Sequence, residues 1–208
     1  MRRAAGILVH PTSLPGPYGI GDIGPRAIRL LDWAASAGLS VWQVLPLGPT
    51  GLGNSPYSAL SVFAGSPLLI SPEWMVEEGL LDSETLEEVP EFPEGPVDYE
   101  RAGKWKERML RAAWDRVRGG RDPGARAATD DLKAFRESPG IAGWLPDWSL
   151  YTAVKDRQEG APWTEWYQPV ARRKSAALDA AERTVPVERE YHAFVQWLFA
   201  RQWKRLRE

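Results

Sequence analysis

The sequence predicts an α/β fold that opens with a strand–helix–strand unit and continues into a mostly helical region. Two apolar runs rich in branched residues, AGILVH at 5–10 and LSVWQVLPL at 39–47, flank a segment with helical spacing. Such a βαβ unit has parallel strands and a right-handed crossover. Both runs are continuously apolar, which is typical of strands that are buried on both faces.

The segment between the two strands carries helix signals at both of its ends. Pro25 suits the first turn of a helix, and Gly38 lies where that helix should stop. The apolar residues between them recur at helical spacing, which predicts one buried face. They are Ala27, Ile28, Leu31, Ala34 and Ala35.

From about Ser71 onward the pattern changes to helices joined by loops. Each predicted helix has an apolar stripe or a start and a stop signal. The predictions are a helix capped by Ser71, a long helix ending at Gly119 and Gly120, a short helix at 129–138, a helix from an Asp147 cap to Gly160, and a final amphipathic helix at 188–208.

The number of strands is small for this fold class. Two parallel strands cannot close or cover a sheet, and an eight-stranded (β/α)8 barrel typically needs about 250 residues. The last helix also reaches Glu208 without a Gly, Asn or Pro stop signal. We therefore expect the 208 residues to be the opening part of a larger protein.

Composition excludes several function classes. The net charge is -2, with acidic and basic residues mixed along the chain, so no electrostatic feature indicates nucleic acid or an anionic membrane as a partner. No cysteine is present, and two histidines far apart in sequence do not favour a metal site. With no signal peptide or membrane-spanning run, we expect a cytoplasmic protein.

The candidate site lies in two Gly/Pro-rich segments, residues 10–24 and 48–65, which follow the two predicted strands. In α/β folds, ligands meet loops at the carboxyl ends of parallel strands. Asn54 and Ser55 can hydrogen-bond hydroxyl groups, and Tyr57 can stack on a sugar ring. The competing interpretation is a structural loop in which Tyr57 fills a local gap.

Other interpretations of these segments are weaker. Residues 48–55 lack the Gly-Lys-Ser/Thr ending of a phosphate-binding loop, and the glycine spacing after His10 is too loose for a dinucleotide site. Asp22 fits helix entry or a loop hydrogen bond better than catalysis, and His10 fits orientation of its loop. Packing is the favoured role for Trp144, Trp148, Trp163 and Trp166.

Five longer segments match one known family in the same order. They are GILVHPTSLPGPYGIGDIG, WQVLPLGPTGLGNSPYSALSVFAGSPLLIS, VDYERAGKWKERML, WLPDWSLYTAVKD and FVQWLFARQWKRL. Essentially the whole chain resembles the N-terminal part of the 4-α-glucanotransferases, the amylomaltase or disproportionating-enzyme family of carbohydrate metabolism.

The resemblance implies an architecture. Family members form a (β/α)8 TIM barrel that carries mostly helical insertions. Residues 1–70 would be the first βαβ unit of the catalytic barrel with its substrate loops. Residues 71–184 would be a helical insertion subdomain, and residues 185–208 a helix that leads back to the barrel.

The resemblance also implies a chemistry. Malto-oligosaccharides and other α-1,4-glucans would be the substrates of a retaining transfer, with no cofactor and no metal. The nucleophile and the acid of the family lie beyond residue 208, so the chain holds no catalytic residue. Ser55 and Tyr57 map onto glucan-binding positions, and Asn54 lies beside them. Position 52 is leucine here, whereas some family members carry an aromatic residue there that is associated with an accessory glucan site.

Two other functions remain open from the sequence. One is a non-catalytic α-glucan-binding module that keeps the sugar loops. The other is a half-barrel completed by a second chain, which would supply the missing C-terminal part of the barrel.

Overall fold

The computed structural model describes residues 3–208. The chain forms two compact units: Met1–Thr129 together with Gln196–Glu208, and Asp130–Val195. These limits differ from the segment limits predicted at residues 71 and 184, because residues 71–129 belong to the first unit and residues 185–195 to the second. The division into a barrel part and an insertion stays a prediction.

The first unit contains the predicted βαβ element. Strand β1 (Gly6–Leu8) pairs in parallel with β2 (Val41–Gln43), with Ile7 opposite Trp42, so the predicted parallel pairing is confirmed. Helix α1 (Pro25–Ser36) connects the two strands, and Pro25 is its first residue as predicted.

The strands are more exposed than their sequence predicts. Leu8 on β1 is 57% exposed and Val41 on β2 is 49% exposed. The predicted burial on both faces is wrong for the described part of the chain, because a two-stranded sheet cannot cover both of its own faces. Trp42 is half-buried, and its Nε1 donates to the Val9 carbonyl at 2.9 Å.

A hydrophobic cluster in the first unit packs helix α1 against other segments of the chain. Helix α1 contributes Ala27, which is fully buried, whereas Ala35 of the predicted stripe is exposed. Burial of such side chains contributes about 25 cal/mol per Å² of apolar surface. The buried members of this cluster are Leu14, Ile23, Ala27, Leu69, Trp74 and Leu206.

After α1, the five predicted helices follow in the predicted order with shifted limits, and the described residues also form three short helices that were not predicted. In the first unit they include α2 (Pro72–Glu77) and α3 (Tyr99–Gly119). The others in chain order are α4 (Pro123–Glu137), α5 (Pro139–Ala142), α6 (Leu145–Arg157), α7 (Gln168–Ala171), α8 (Ser175–Glu182) and α9 (Pro186–Arg207).

Cap geometry accounts for agreements and shifts at the helix ends. Ser71 accepts a hydrogen bond from the Trp74 amide at 3.4 Å and caps α2 as predicted. Helix α4 begins earlier than the predicted residue 129, because Asp122 accepts from the Ala125 amide at 2.8 Å and forms a cap there. Asp147 is not a cap: it lies within the first turn of α6.

A buried ion pair joins α3 to the loop after β1. The Lys106 Nζ donates to Asp22 Oδ2 at 2.7 Å and to the Ile70 carbonyl at 2.6 Å. Asp22 Oδ1 accepts from the Gly24 amide at 3.0 Å, so its predicted loop hydrogen bond is confirmed. Burial lowers the pKa of Lys106, and the neighbouring carboxylate offsets part of that effect.

His10 connects the chain segments that leave the two strands. Its Nε2 lies 3.4 Å from the Pro46 carbonyl, and its Nδ1 accepts from the Thr12 amide at 3.3 Å. These partners fit a neutral ring with the proton on Nε2. Burial of the ring lowers the pKa of His10, and the bond to Pro46 acts in the opposite direction.

We expect Lys106→Met to lower the free energy of unfolding by about 3–5 kcal/mol, because it leaves the buried Asp22 carboxylate without its partner. The double variant Lys106→Met/Asp22→Asn should lose less, since the neutral amide still accepts from Gly24. Urea unfolding of both variants measures this. A loss below about 1 kcal/mol for Lys106→Met would contradict the role given to the ion pair.

His10 should make stability depend on pH near neutrality. Its folded-state pKa lies below 6.5, so between that value and 6.5 the unfolded chain binds more protons than the folded chain. The free energy of unfolding should therefore rise with pH through this window and level off above about 6.5.

The comparison with His10→Asn isolates this contribution, because the asparagine oxygen can still accept from Thr12 but does not titrate. Denaturant unfolding at a series of pH values should show the wild-type chain gaining stability on the variant as pH rises. A difference that stays constant, or that shrinks as pH rises, would show that His10 is not held neutral.

Candidate functional site

The candidate site is built on the edge where β1 and β2 both end. The parallel pairing brings the following segments, 10–24 and 48–65, to this one edge. The hydrogen bond from the Val9 amide to the Gln43 carbonyl, at 3.2 Å, extends the pairing past β1. The predicted positions of both segments at carboxyl strand ends are therefore confirmed.

Residues 48–65 contain a closed hairpin. Thr50 and Ala59 form an antiparallel bridge, the Gly51 amide donates to the Ser58 carbonyl at 2.9 Å, and the Leu60 amide donates to Pro49 at 2.8 Å. Residues 51–58 therefore form a tip, which we call the hairpin tip. Its candidate residues are held on a short closed loop instead of a free connector.

The hairpin tip turns through left-handed backbone. Gly53 has φ 81° and the following Asn54 has φ 55°. Asparagine is one of the few non-glycine residues that adopt this region readily. Asn54 therefore has a backbone reason for its position, beside the hydrogen-bonding role predicted for its side chain.

The three candidate side chains of the hairpin tip differ in exposure. The Tyr57 ring is 75% exposed, Asn54 is exposed, and Ser55 is half-buried. Among residues 3–208, Tyr57 therefore does not fill a gap. An aromatic ring with both an apolar face and a hydroxyl group in solvent can contact a ligand that has both kinds of surface.

The base of the hairpin is held by a buried amide side chain. The Gly65 amide donates to Gln196 Oε1 at 2.8 Å, and Gln196 Nε2 donates to the Gly65 carbonyl at 3.0 Å. A Cβ at position 65 would collide with the Phe199 ring, so any side chain there would have to displace that ring. Because the base is fixed, the hairpin tip can be exposed to solvent while the loop keeps one conformation.

A second glutamine repeats this arrangement where α2 begins. The Ser71 amide donates to Gln202 Oε1 at 2.6 Å, and Gln202 Nε2 donates to the Ser71 carbonyl at 3.0 Å. Gln196 and Gln202 are both buried on α9. They fix both ends of the backbone that leads out of the hairpin.

The structure brings some predicted residues together and separates others. Asn54, Ser55 and Tyr57 share the hairpin tip, whereas Asp22 is buried in its ion pair with Lys106. Sequence analysis missed Lys106 and Gln196. Gln196 lies within the apolar stripe of α9, and a polar residue in that position was the available signal for a buried side chain with a polar partner.

Residues 3–208 contain neither a metal-binding cluster nor a membrane-spanning helix. No group of three or more His, Cys, Asp or Glu side chains is placed to hold a metal ion. None of the helices in the same range combines the length and the apolar character needed to cross a membrane.

Comparison with known proteins gives consistent matches. The family model described as 4-alpha-glucanotransferase matches residues 9–208. The 4-alpha-glucanotransferase of Thermus thermophilus is 43% identical over 205 residues, which are 99% of this chain and 39% of that relative. The chloroplastic/amyloplastic enzyme of Solanum tuberosum is 41% identical over 212 residues, 100% of this chain and 36% of the relative.

A solved structure is similar along almost the whole chain. The amylomaltase from Streptococcus agalactiae in complex with acarbose superposes with a TM-score of 0.86 at 29% identity, over 99% of this chain and 40% of that one. The chain thus spans about 40% of the length of the relatives that it matches. On this evidence, the chain belongs to the 4-alpha-glucanotransferase family.

Proposed function

We propose that residues 1–208, together with the remaining region that the family members have, form an enzyme. This enzyme transfers α-1,4-glucan segments between malto-oligosaccharides. The observation that carries this proposal is the exposed ring of Tyr57 on a closed hairpin, at the carboxyl end of a parallel strand. Substrate-binding loops of α/β enzymes occupy this position.

The hairpin tip suits a glucan chemically. A glucosyl ring has apolar faces edged with hydroxyl groups. The Tyr57 ring offers a flat apolar surface, while Ser55 and Asn54 offer neutral hydrogen-bonding groups. These residues bind and orient the sugar in this proposal, and they do not break or form the glycosidic bond.

The chemistry would be a double displacement with retention of configuration. A carboxylate attacks the anomeric carbon while a carboxylic acid protonates the leaving sugar oxygen. The 4-hydroxyl of a second glucan then takes the glycosyl group from this carboxylate, and its proton goes to the other carboxyl group, which became ionised when it protonated the leaving sugar. We assign both carboxyl groups to the region of the family members that lies outside the part matching residues 1–208.

The exposed strands support the same assignment. Leu8 on β1 and Val41 on β2 offer apolar surface of the kind that a neighbouring strand covers. We therefore assign residues 1–70 to the first βαβ unit of a (β/α)8 barrel. A cytoplasmic location and a separate chain that completes the barrel stay predictions.

We expect Tyr57→Ala to impair turnover more than folding. The test uses residues 1–208 joined to the remaining region of the Thermus thermophilus relative, which we call the chimera. Loss of one stacking surface and one hydroxyl should lower kcat/KM on maltotriose about 5- to 150-fold, which corresponds to about 1–3 kcal/mol of transition-state binding. The melting temperature should stay nearly unchanged, because the ring is exposed.

Matched variants separate binding from loop packing. Val62→Ala removes another exposed apolar side chain from the same segment and should leave kcat/KM near that of the chimera. Ser55→Ala removes one neutral hydrogen bond and should have a smaller effect than Tyr57→Ala. The 208-residue chain alone should not redistribute maltotriose.

Two results would contradict the proposal. A folded chimera without transfer activity that still binds maltotriose would favour the non-catalytic binding module. A Tyr57→Ala chimera that melts at a lower temperature but keeps its kcat/KM would assign Tyr57 to loop packing.

A further inference from the structure

A pocket of about 290 Å³ lies within the second unit. We call it the Trp163 pocket, after its most exposed aromatic side chain. Its size is just below the range of about 300–1,000 Å³ for ligand sites, which suits one or two sugar rings. Residues that line it include Asp147, Tyr151, Trp163, Trp166, Val170 and Arg173.

One aromatic wall of the Trp163 pocket is fixed. Trp166 is buried, and its Nε1 donates to the Ala161 carbonyl at 3.0 Å. Its ring centroid lies 5.4 Å from that of Tyr151, with an angle of 35° between the rings. This wall is therefore preorganised, and its rings need no rearrangement to meet a ligand.

A second aromatic side chain remains open to solvent. Trp163 is 53% exposed, although packing was the role predicted for it from the sequence. The difference arises because Trp163 lies in a single turn (Trp163–Glu165) between helices, at the edge of the pocket. Its indole is thus a flat apolar surface that a ring-shaped ligand can cover.

The rim of the pocket is polar but nearly neutral. Arg173 Nη2 donates to Asp147 Oδ2 at 2.8 Å, and both side chains remain largely exposed. Arg173 also has φ 52°, a backbone conformation that a non-glycine residue rarely adopts. Because the guanidinium is already paired with a carboxylate, the rim favours hydroxyl groups over a strongly anionic ligand.

We propose that the Trp163 pocket binds glucosyl units of an α-1,4-glucan. The indole face of Trp163 covers the apolar face of a sugar ring, and Asp147 and Arg173 hydrogen-bond its hydroxyl groups. The choice of an α-1,4-glucan rests on the proposed function, whereas the preference for a neutral sugar rests on the pocket itself.

The test is calorimetric titration of the full 208-residue chain with maltotriose. All samples carry Tyr57→Ala, so that the hairpin tip does not dominate the signal. Addition of Trp163→Ala should raise Kd at least about tenfold. Trp33→Ala is the matched control, because Trp33 on α1 is 54% exposed and lies outside the pocket; it should change Kd less than about twofold.

A second variant keeps the test independent of folding defects. Arg173→Gly removes the guanidinium but places glycine where the backbone is left-handed, so circular dichroism and the melting temperature should be retained. We expect Kd for maltotriose to rise several-fold. Absence of maltotriose binding, or binding that neither Trp163→Ala nor Arg173→Gly weakens, would overturn the proposal.

Failure here can be told from failure of the proposed function. If the chimera transfers glucan but Trp163→Ala leaves maltotriose binding unchanged, only the Trp163 pocket is excluded as a sugar site. If the folded chimera transfers no glucan but Trp163-dependent binding is measured, the pocket stands and the transferase assignment falls.

Discussion

The backbone from Gly65 to Ser71 is the constraint on which the first unit depends. It belongs to neither strand, so its buried polar groups need partners from elsewhere. The Gln196 side chain accepts one hydrogen bond and donates one at Gly65, and the Gln202 side chain does the same at Ser71. A buried amide or carbonyl left without a partner costs about 1–3 kcal/mol, so these two side chains define the path of the chain.

The same backbone segment also forms hydrogen bonds with the loop after β1 and with helix α3. The Ile23 amide donates to the Leu69 carbonyl at 3.0 Å, and Lys106 Nζ donates to the Ile70 carbonyl at 2.6 Å. The segments that follow β1 and β2 are therefore both held by the backbone from Gly65 to Ser71. This arrangement explains how a glycine-rich hairpin can expose Tyr57 and still hold it in a defined place.

Local signals made much of this fold predictable from the sequence. The parallel βαβ unit, Pro25 at the start of α1 and the Ser71 cap all depend on a few neighbouring residues. The start of α4 was missed although its Asp122 cap is also local, because the apolar pattern becomes clear only later in that helix. The prediction that Asp147 caps a helix was wrong, because a polar residue in the first turn of a helix resembles a cap in the sequence.

Long-range partners could not be predicted in the same way. Lys106 follows Asp22 by 84 residues, and Gln196 follows Gly65 by 131, so neither pair leaves a local pattern. The composition of the hairpin tip indicated sugar binding, but whether Tyr57 is packed or exposed depends on the fold. The strand patterns likewise indicated burial that two strands alone cannot provide.

In the proposed function, the fixed base of the hairpin presents Tyr57 to an α-glucan. A crystal structure of the chimera with acarbose bound tests this most directly. We expect one acarbose ring to lie within about 4 Å of the Tyr57 ring, with the hydrogen bonds between Gly65 and Gln196 intact. Acarbose bound elsewhere, with the Tyr57 ring still facing solvent, would contradict it.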